Sequence, residues 1–387
     1  MNRAFLTHIG ITCVLGNEIN EIAERLFSGD RSGMLVGNSW LDNYCGRIGE
    51  IPKLPPRLPS GLGMFDSRNN RLALAVLQQI QDPVARLRRK LGAERIAVVM
   101  GTSTSGIANG EQSLRCGVGR NYNYRSQQQL ASLTEFTARY LGLSGPQITV
   151  STACSSSANA LRSARQLLGL GLCDAVVVGG VDTLCGMTVK GFHSLGALSG
   201  GVALPFSTNR DGINLGEAGA VFIMTREPSE VQLCGVGGSS DAHHMSAPDP
   251  KGRGAEASMR RALADAGLRA AAIEYLNLHG TGTVQNDAME AAAVERVLGT
   301  DVLCSSTKPL TGHTLGAAGA LEIAFCWLAL QRKKLPPHRY DDDYDRTIPP
   351  LRLCSEGAAP RYLSYVMSNS FAFGGSNCSV ILGRKGE

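Results

Sequence analysis

QITVSTACSSSANAL (147–161) runs from a β-branched tetrapeptide through small hydroxyl residues into an alanine-rich stretch of helical spacing. The apolar run reads as a buried strand, and the small residues after it as the first turns of a closely packed helix. The same order returns at VLCSSTKPLTGHTLGAAGAL (302–321), where a strand-like run again meets polar residues and then a helix of glycine and alanine. Each segment places a reactive side chain just before a helix, a loose echo that a duplicated unit explains. Outward from these two segments, IAVVMG (96–101), DAVVVGG (174–180), IEYLNLHG (273–280) and DVLCSST (301–307) read as further strands. SSSANALRSARQLLGLG (155–171), AEASMRRALADAGL (255–268) and HTLGAAGALEIAFCWLALQ (313–331) read as helices between them. This alternation predicts an α/β fold of buried sheets covered by helices, with two halves, 1–230 and 231–387.

A chain of 387 residues with 43% apolar content can bury a large core. Lys plus Arg exceeds Asp plus Glu by 38 − 33 = 5, with no basic arm or tail. That balance argues against nucleic-acid binding and suits the docking of an acidic protein. Eleven cysteines, an odd number without a C-x-x-C pair, argue against a disulfide framework and a structural zinc site, and read as reduced thiols of a cytoplasmic protein. The N-terminus is too polar for a signal peptide, and no apolar run reaches the ~18–20 residues of a membrane span, so membrane insertion is not expected.

Cys154 sits at a strand-to-helix turn among small neighbours that leave its sulfur accessible. Backbone amides and the helix dipole at such a terminus are expected to lower a thiol pKa, whereas most of the other ten cysteines read as inert. His279 opens HGTGTVQNDAME directly after a strand, at the end where α/β folds place chemistry. The hydroxyl-lined loop after it suits a long polar arm, and neither nucleotide-binding glycine motif is present. Lys308 and His313 occupy the corresponding place in the second segment, where cationic or polar donors can hold a developing oxyanion. SNSFAFGGSN (368–377) encloses two phenylalanines in a glycine-rich loop. No G-x-S-x-G elbow supports serine hydrolysis.

Together the T-A-C-S-S-S, P-F-S-T-N-R-D-G-I-N-L-G-E-A-G-A, H-G-T-G-T, K-P-L-T-G-H-T-L-G-A-A-G-A and N-S-F-A-F-G-G-S-N segments resemble the β-ketoacyl-(acyl-carrier-protein) synthases, from about residue 90 to the end. The resemblance implies a thiolase fold: two pseudo-repeated βαβ halves in a five-layer αβαβα sandwich. It implies that Cys154 takes an acyl chain from an acyl carrier protein and that His279 and His313 promote decarboxylation of a malonyl unit. Lys308 would support His313, and Asp287 and Glu290 of N-D-x-x-E would organise the region. The amides of Cys154 and Phe373 would form the oxyanion hole, with Phe373 also gating the acyl pocket, and Thr281 and Thr283 would bind phosphopantetheine. No metal or cofactor beyond the carrier's phosphopantetheine is implied. The implied partners are the carrier protein and a second subunit, in a homodimer or a heterodimer with a chain-length factor.

Three departures stand out. Ala372 replaces the family's usual glycine before the gating phenylalanine, LGALSGGVALPFST (195–208) is short and lacks a basic residue, and SGLGMF (60–65) lacks Lys and Arg. Carrier docking would then fall to Arg68, Arg71, Arg115 or Arg120, or to a partner subunit. The trimmed loops point to specialised polyketide or aryl-polyene assembly rather than housekeeping fatty-acid elongation. Two other readings are a non-condensing chain-length-factor-like subunit, which the intact Cys154 opposes, and a coenzyme A thiolase, whose second cysteine would have to be Cys378.

Overall fold

The computed structural model describes residues 3–384 apart from residues 56, 118–121 and 361. The strands that carry the fold fall into two sets. In the first half β1 (Phe5–Cys13), β2 (Ile96–Gly101), β3 (Gln147–Val150), β4 (Ala175–Asp182) and β5 (Ala218–Thr225) lie in the order β3-β2-β4-β5-β1. In the second half β6 (Val231–Ser240), β7 (Tyr275–Asn277), β8 (Leu303–Ser305), β9 (Tyr365–Phe371) and β10 (Ser376–Arg384) lie in the order β8-β7-β9-β10-β6. Strand for strand the two orders are the same, and so are the directions. β2 is parallel to β3 and β4, and β5 is antiparallel to β4 and β1. Likewise β7 is parallel to β8 and β9, and β10 is antiparallel to β9 and β6. The halves join where Phe5 of β1 pairs with Gln232 of β6, giving one eleven-stranded sheet whose last member is the edge pair Arg352–Leu353.

The helices repeat in the same way. α1 (Arg68–Leu91) and α2 (Ala131–Leu141) cover the outer face of the first half, and α4 (Arg253–Ala266) and α5 (Val284–Leu298) that of the second. α3 (Ser156–Gly169) and α6 (Ala318–Arg332) fill the middle and touch strands of both halves. The two halves of the sheet thus form the two β layers, with α3 and α6 between them and the other helices outside, which is the αβαβα sandwich that the resemblance implies.

Position explains composition. β4 is buried at every residue because helices cover both its faces, so AVVVGGVD shows a continuous apolar run instead of alternation. α6 is buried almost all round for the same reason and is apolar on all sides. α3 and α6 approach closely at Gly319, where a Cβ would stand 2.8 Å from the Ala158 Cβ. Burying each large aliphatic or aromatic side chain of this central layer contributes about 1.5–3 kcal/mol, and a side chain at position 319 would force its two helices apart. Among the described residues, no helix is long and apolar enough to cross a membrane.

This architecture brings the carboxyl ends of β3, β7 and β8 to one place. The segments bearing Cys154, His279, Lys308 and His313 leave those three strands.

Candidate active site

After β3 the chain turns sharply, with Ala153 at φ 50°, and delivers Cys154 ahead of α3. Serines lock this turn: Ser156 Oγ accepts from the Thr152 amide at 2.9 Å and donates to the Ala153 carbonyl at 2.6 Å. Cys154 is buried, but it lines a cavity shared with His279, His313, Thr281, Thr283 and Phe373. The Phe373 amide lies near enough to the sulfur to pull the thiol's pKa down, so a main-chain N–H of the facing loop is at hand for an oxyanion.

The expected acidic thiol is not found. Burial pushes the Cys154 thiol up to about 11, against the opposing pull of the Lys308 charge and the Phe373 amide. Desolvation outweighs the helix terminus, so the resting site holds a neutral thiol. Alkylation of Cys154 by iodoacetamide, followed by peptide mass mapping, is expected to accelerate continuously from about pH 7 toward pH 11. A plateau below about pH 9 would show instead that the site stabilises the thiolate.

The loop that follows β7 is held by two buried carboxylates of α5. Glu290 accepts the amides of His279 at 2.8 Å and Gly280 at 2.7 Å, and Asp287 accepts those of Thr281 at 3.1 Å and Gly282 at 3.3 Å. Asp287 and Glu290 are three residues apart and share a helix face, so four successive amides find acceptors on one surface. Burial raises both carboxyls, Glu290 to about 7, while these hydrogen bonds pull them down. The N-D-x-x-E motif thus fixes the histidine loop. Thr283 caps α5 by accepting from the Asn286 amide at 3.3 Å, and its hydroxyl lies 3.0 Å from that of Thr281.

Lys308 bears on both histidines, its charge acting on His313 as well as on His279. Its Nζ is 3.5 Å from His279 Nδ1 and pairs with the carboxylate of buried Glu322, so its direct contact is with His279. An ammonium donating toward Nδ1 leaves that nitrogen as the acceptor and the proton on Nε2. The two imidazoles stand edge to face, with centroids 5.3 Å apart. Both are driven well below the ordinary histidine range, His279 by burial and then by the charges of Lys308 and His313, His313 by burial and Lys308. They are therefore neutral N–H donors at physiological pH.

The gate-like loop holds Phe373 partly exposed, with its ring 5.5 Å from that of Phe192 on the helix Gly186–Ser194. Phe371 packs at 6.0 Å against His279. Ala372 is extended (φ −105°, ψ 152°), a conformation any residue adopts, and Gly374 and Gly375 carry the positive φ of the turn.

The arginines proposed for docking divide. Arg68 pairs with fully buried Glu217 and donates to the Ile51 carbonyl at 2.9 Å, while Arg71 grips Asp66 through two bonds of 2.6 and 2.7 Å. Guanidinium groups already neutralised within the fold offer little charge to an acidic partner, so these two are structural. Arg115 is exposed at the end of the helix Ile107–Arg115, and Arg120 lies outside the described residues. Sequence reading missed Glu322, Phe192 and Asp182. Glu322 carried a readable signal, a lone acid inside an apolar helix fourteen positions after Lys308.

Residues 67–229 match the family described as beta-ketoacyl synthase, N-terminal domain, and residues 231–340 its C-terminal domain. Nodulation protein E of Rhizobium leguminosarum bv. trifolii is 32% identical, over 97% of each chain. 3-Oxoacyl-[acyl-carrier-protein] synthase 2 of Rhizobium meliloti is 38% identical over 62% of each chain; for that relative the chain spans less than two thirds of its length. The ketosynthase ApeO of Xenorhabdus doucetiae, solved in complex with its chain length factor ApeC, superimposes with a TM-score of 0.95 at 44% identity, covering 99% of this chain and 98% of that one. With strand order, cavity and motifs in agreement, the chain belongs to the β-ketoacyl synthase family.

Proposed function

We propose that this chain is a condensing ketosynthase that joins an acyl primer to a malonyl unit, both carried as thioesters on acyl carrier protein, through an acyl-Cys154 intermediate. The observation that carries the reading is the meeting of Cys154, two neutral histidines and the Phe373 amide at a single cavity. In the first step the Cys154 sulfur attacks the primer thioester, and the amides of Cys154 and Phe373 hold the oxyanion. The carrier thiolate leaves and takes the thiol proton, which a neutral histidine can relay. In the second step malonyl-carrier loses carbon dioxide, and the electron pair of the broken C–C bond becomes an enolate. The N–H groups of His279 and His313 stabilise its oxygen more than that of the ground-state thioester. The enolate carbon attacks the acyl-Cys154 carbonyl, and collapse of the adduct expels Cys154 as thiolate, which is reprotonated. Thr281 and Thr283, at the cavity, suit the phosphopantetheine arm, and Arg115 is the remaining described candidate for carrier contact.

Two observations weigh against the alternatives. Cys378 is fully buried in β10 and pushed up to about 12 by desolvation, unlike a thiolase's second catalytic cysteine. The intact Cys154 disfavours a purely pocket-shaping subunit. The likeness to a ketosynthase solved with its chain length factor, and the short 195–208 loop, support a heterodimer in a specialised polyketide-type pathway. The test is to incubate the purified chain, alone and with a chain-length-factor subunit, with malonyl-carrier and a set of acyl-carriers and to follow masses. An acyl adduct on the chain and a β-ketoacyl-carrier two carbons longer are expected. If no acyl-carrier gives either, with or without the second subunit, the condensing assignment fails.

A further inference from the structure

Asp182 ends β4, is fully buried, and has no salt-bridge partner among the described residues. Its oxygens instead accept a shell of hydrogen bonds from the turn after β2. Thr102 Oγ1 donates at 2.5 Å, Ser103 Oγ at 2.6 Å, the Ser103 amide at 2.9 Å, and the Thr104 amide and hydroxyl each at 2.9 Å. One more donor comes from the other half of the molecule: the Gly316 amide, at 2.7 Å. With donors from two halves of the molecule converging on one buried side chain, this carboxyl is a firm joint.

Gly316 follows His313 by three residues. The main chain of His313 is itself bound to the first half, its amide donating to the Asn214 carbonyl at 2.7 Å and its carbonyl accepting from the Gly216 amide at 3.1 Å. His313 therefore hangs between two attachments, one at its own backbone and one at Gly316. The second tolerates no side chain on the glycine: a Cβ at Gly316 would lie 2.6 Å from Asp182 Oδ2 and 2.8 Å from the Ser103 amide nitrogen. The His279 loop is held chiefly by α5 of its own half, with one main-chain bond to the first half, from the Gly212 amide to the Gly282 carbonyl at 3.0 Å, and among the described residues no carboxylate of the first half reaches it.

We propose that Asp182 is a positioning residue that docks the His313 segment onto the 102–104 turn of the opposite half, and so sets His313 against Cys154. The inference rests on the reading of His313 as a donor to the malonyl thioester. It separates the two half-reactions: decarboxylation depends on His313 being in register, whereas acyl transfer turns mainly on Cys154 and the Phe373 amide, and Gly316→Ala disturbs the joint while leaving in place the Asp182 carboxyl, which bears electrostatically on Cys154.

The test compares Asp182→Asn, Gly316→Ala and Ser103→Ala with the wild type in three assays: acyl transfer to Cys154, carbon dioxide release from malonyl-carrier, and KM for malonyl-carrier. Asp182→Asn weakens the acceptor and Gly316→Ala wedges the same joint from the other side. Both are expected to slow decarboxylation on the order of 100-fold, the cost of a misplacement of about 1 Å, with acyl transfer within about threefold and KM unchanged. Ser103→Ala removes one donor hydroxyl and leaves the Asp182 carboxyl in place, and is expected to slow decarboxylation about tenfold with acyl transfer unchanged, which keeps the test decisive where the other two fail to fold. Equal losses in both half-reactions, or undiminished decarboxylation in the folded variants, would overturn the proposal. A wild type inactive in every assay would sink the ketosynthase reading instead.

Discussion

Cys154→Ala is expected to abolish the acyl adduct and to lower condensation on the order of 10⁴-fold or more, while malonyl-carrier still loses carbon dioxide. Cys154 bears the sulfur, and the enolate oxygen is held by the imidazoles, so removing the nucleophile leaves the decarboxylating apparatus in place. The converse variants complete the argument. His279→Ala or His313→Ala is expected to reduce carbon dioxide release about 10²–10³-fold, the usual cost of deleting one preorganised donor, with the acyl adduct still forming. Mass spectrometry of the chain and labelled carbon dioxide release read the two steps separately. Because both histidines are held well below the ordinary range, mainly by burial, the N–H donors stay neutral as pH falls through 6.5. A drop in decarboxylation centred near pH 6.5 would mean that one imidazole is solvated and has an ordinary pKa.

The largest effect on stability is expected at Lys308. Lys308→Met leaves Glu322 buried without its counter-charge, and breaking a buried pair from one side costs about 3–5 kcal/mol. Burial already raises Glu322 to about 7 in the wild type, with Lys308 pulling it down, so loss of the lysine raises it further. A carboxyl whose folded pKa is raised contributes stability that is fully present below its unfolded value of 4.5 and lost as pH rises through the folded value. The variant should therefore be most destabilised at about pH 8 and recover toward about pH 5, where Glu322 takes a proton. Lys308→Met/Glu322→Gln should regain most of the lost stability, because no uncompensated charge remains. Urea unfolding at the two pH values measures both claims, and a pH-independent loss would mean that the pair is not the source.

The fold was legible where its cause is local. A run such as IAVVMG (96–101) is a strand wherever it is covered on both sides, and β2 occupies those residues without shift. The echo between residues 147–161 and 302–321 was also legible, since both segments end a strand and begin a central helix, as β3–α3 and β8–α6. The site was legible to the level of residue type: a cysteine, two histidines and a lysine, each just past a strand. Their relations were not. Lys308 reads as a neighbour of His313, five residues away, and its direct contact with His279 from another strand was not foreseen. Arg68 and Arg71 read as free surface charge and are engaged by Glu217 and Asp66.

By itself, then, the sequence determined the α/β pattern, its duplication, the elements and the chemical groups at their ends, because strand and helix periodicity and turn chemistry act over a few residues. Only the tertiary structure decided which groups touch, which are charged and which hold the halves in register. The acidity expected for Cys154 followed from its helix terminus, and burial reversed it. Asp182 and Gly316 looked unremarkable apart, being 134 residues from one another, and form one joint. Desolvation, ion pairing and close approach are properties of the packed interior, where the dielectric and the neighbours are set by segments distant in the chain.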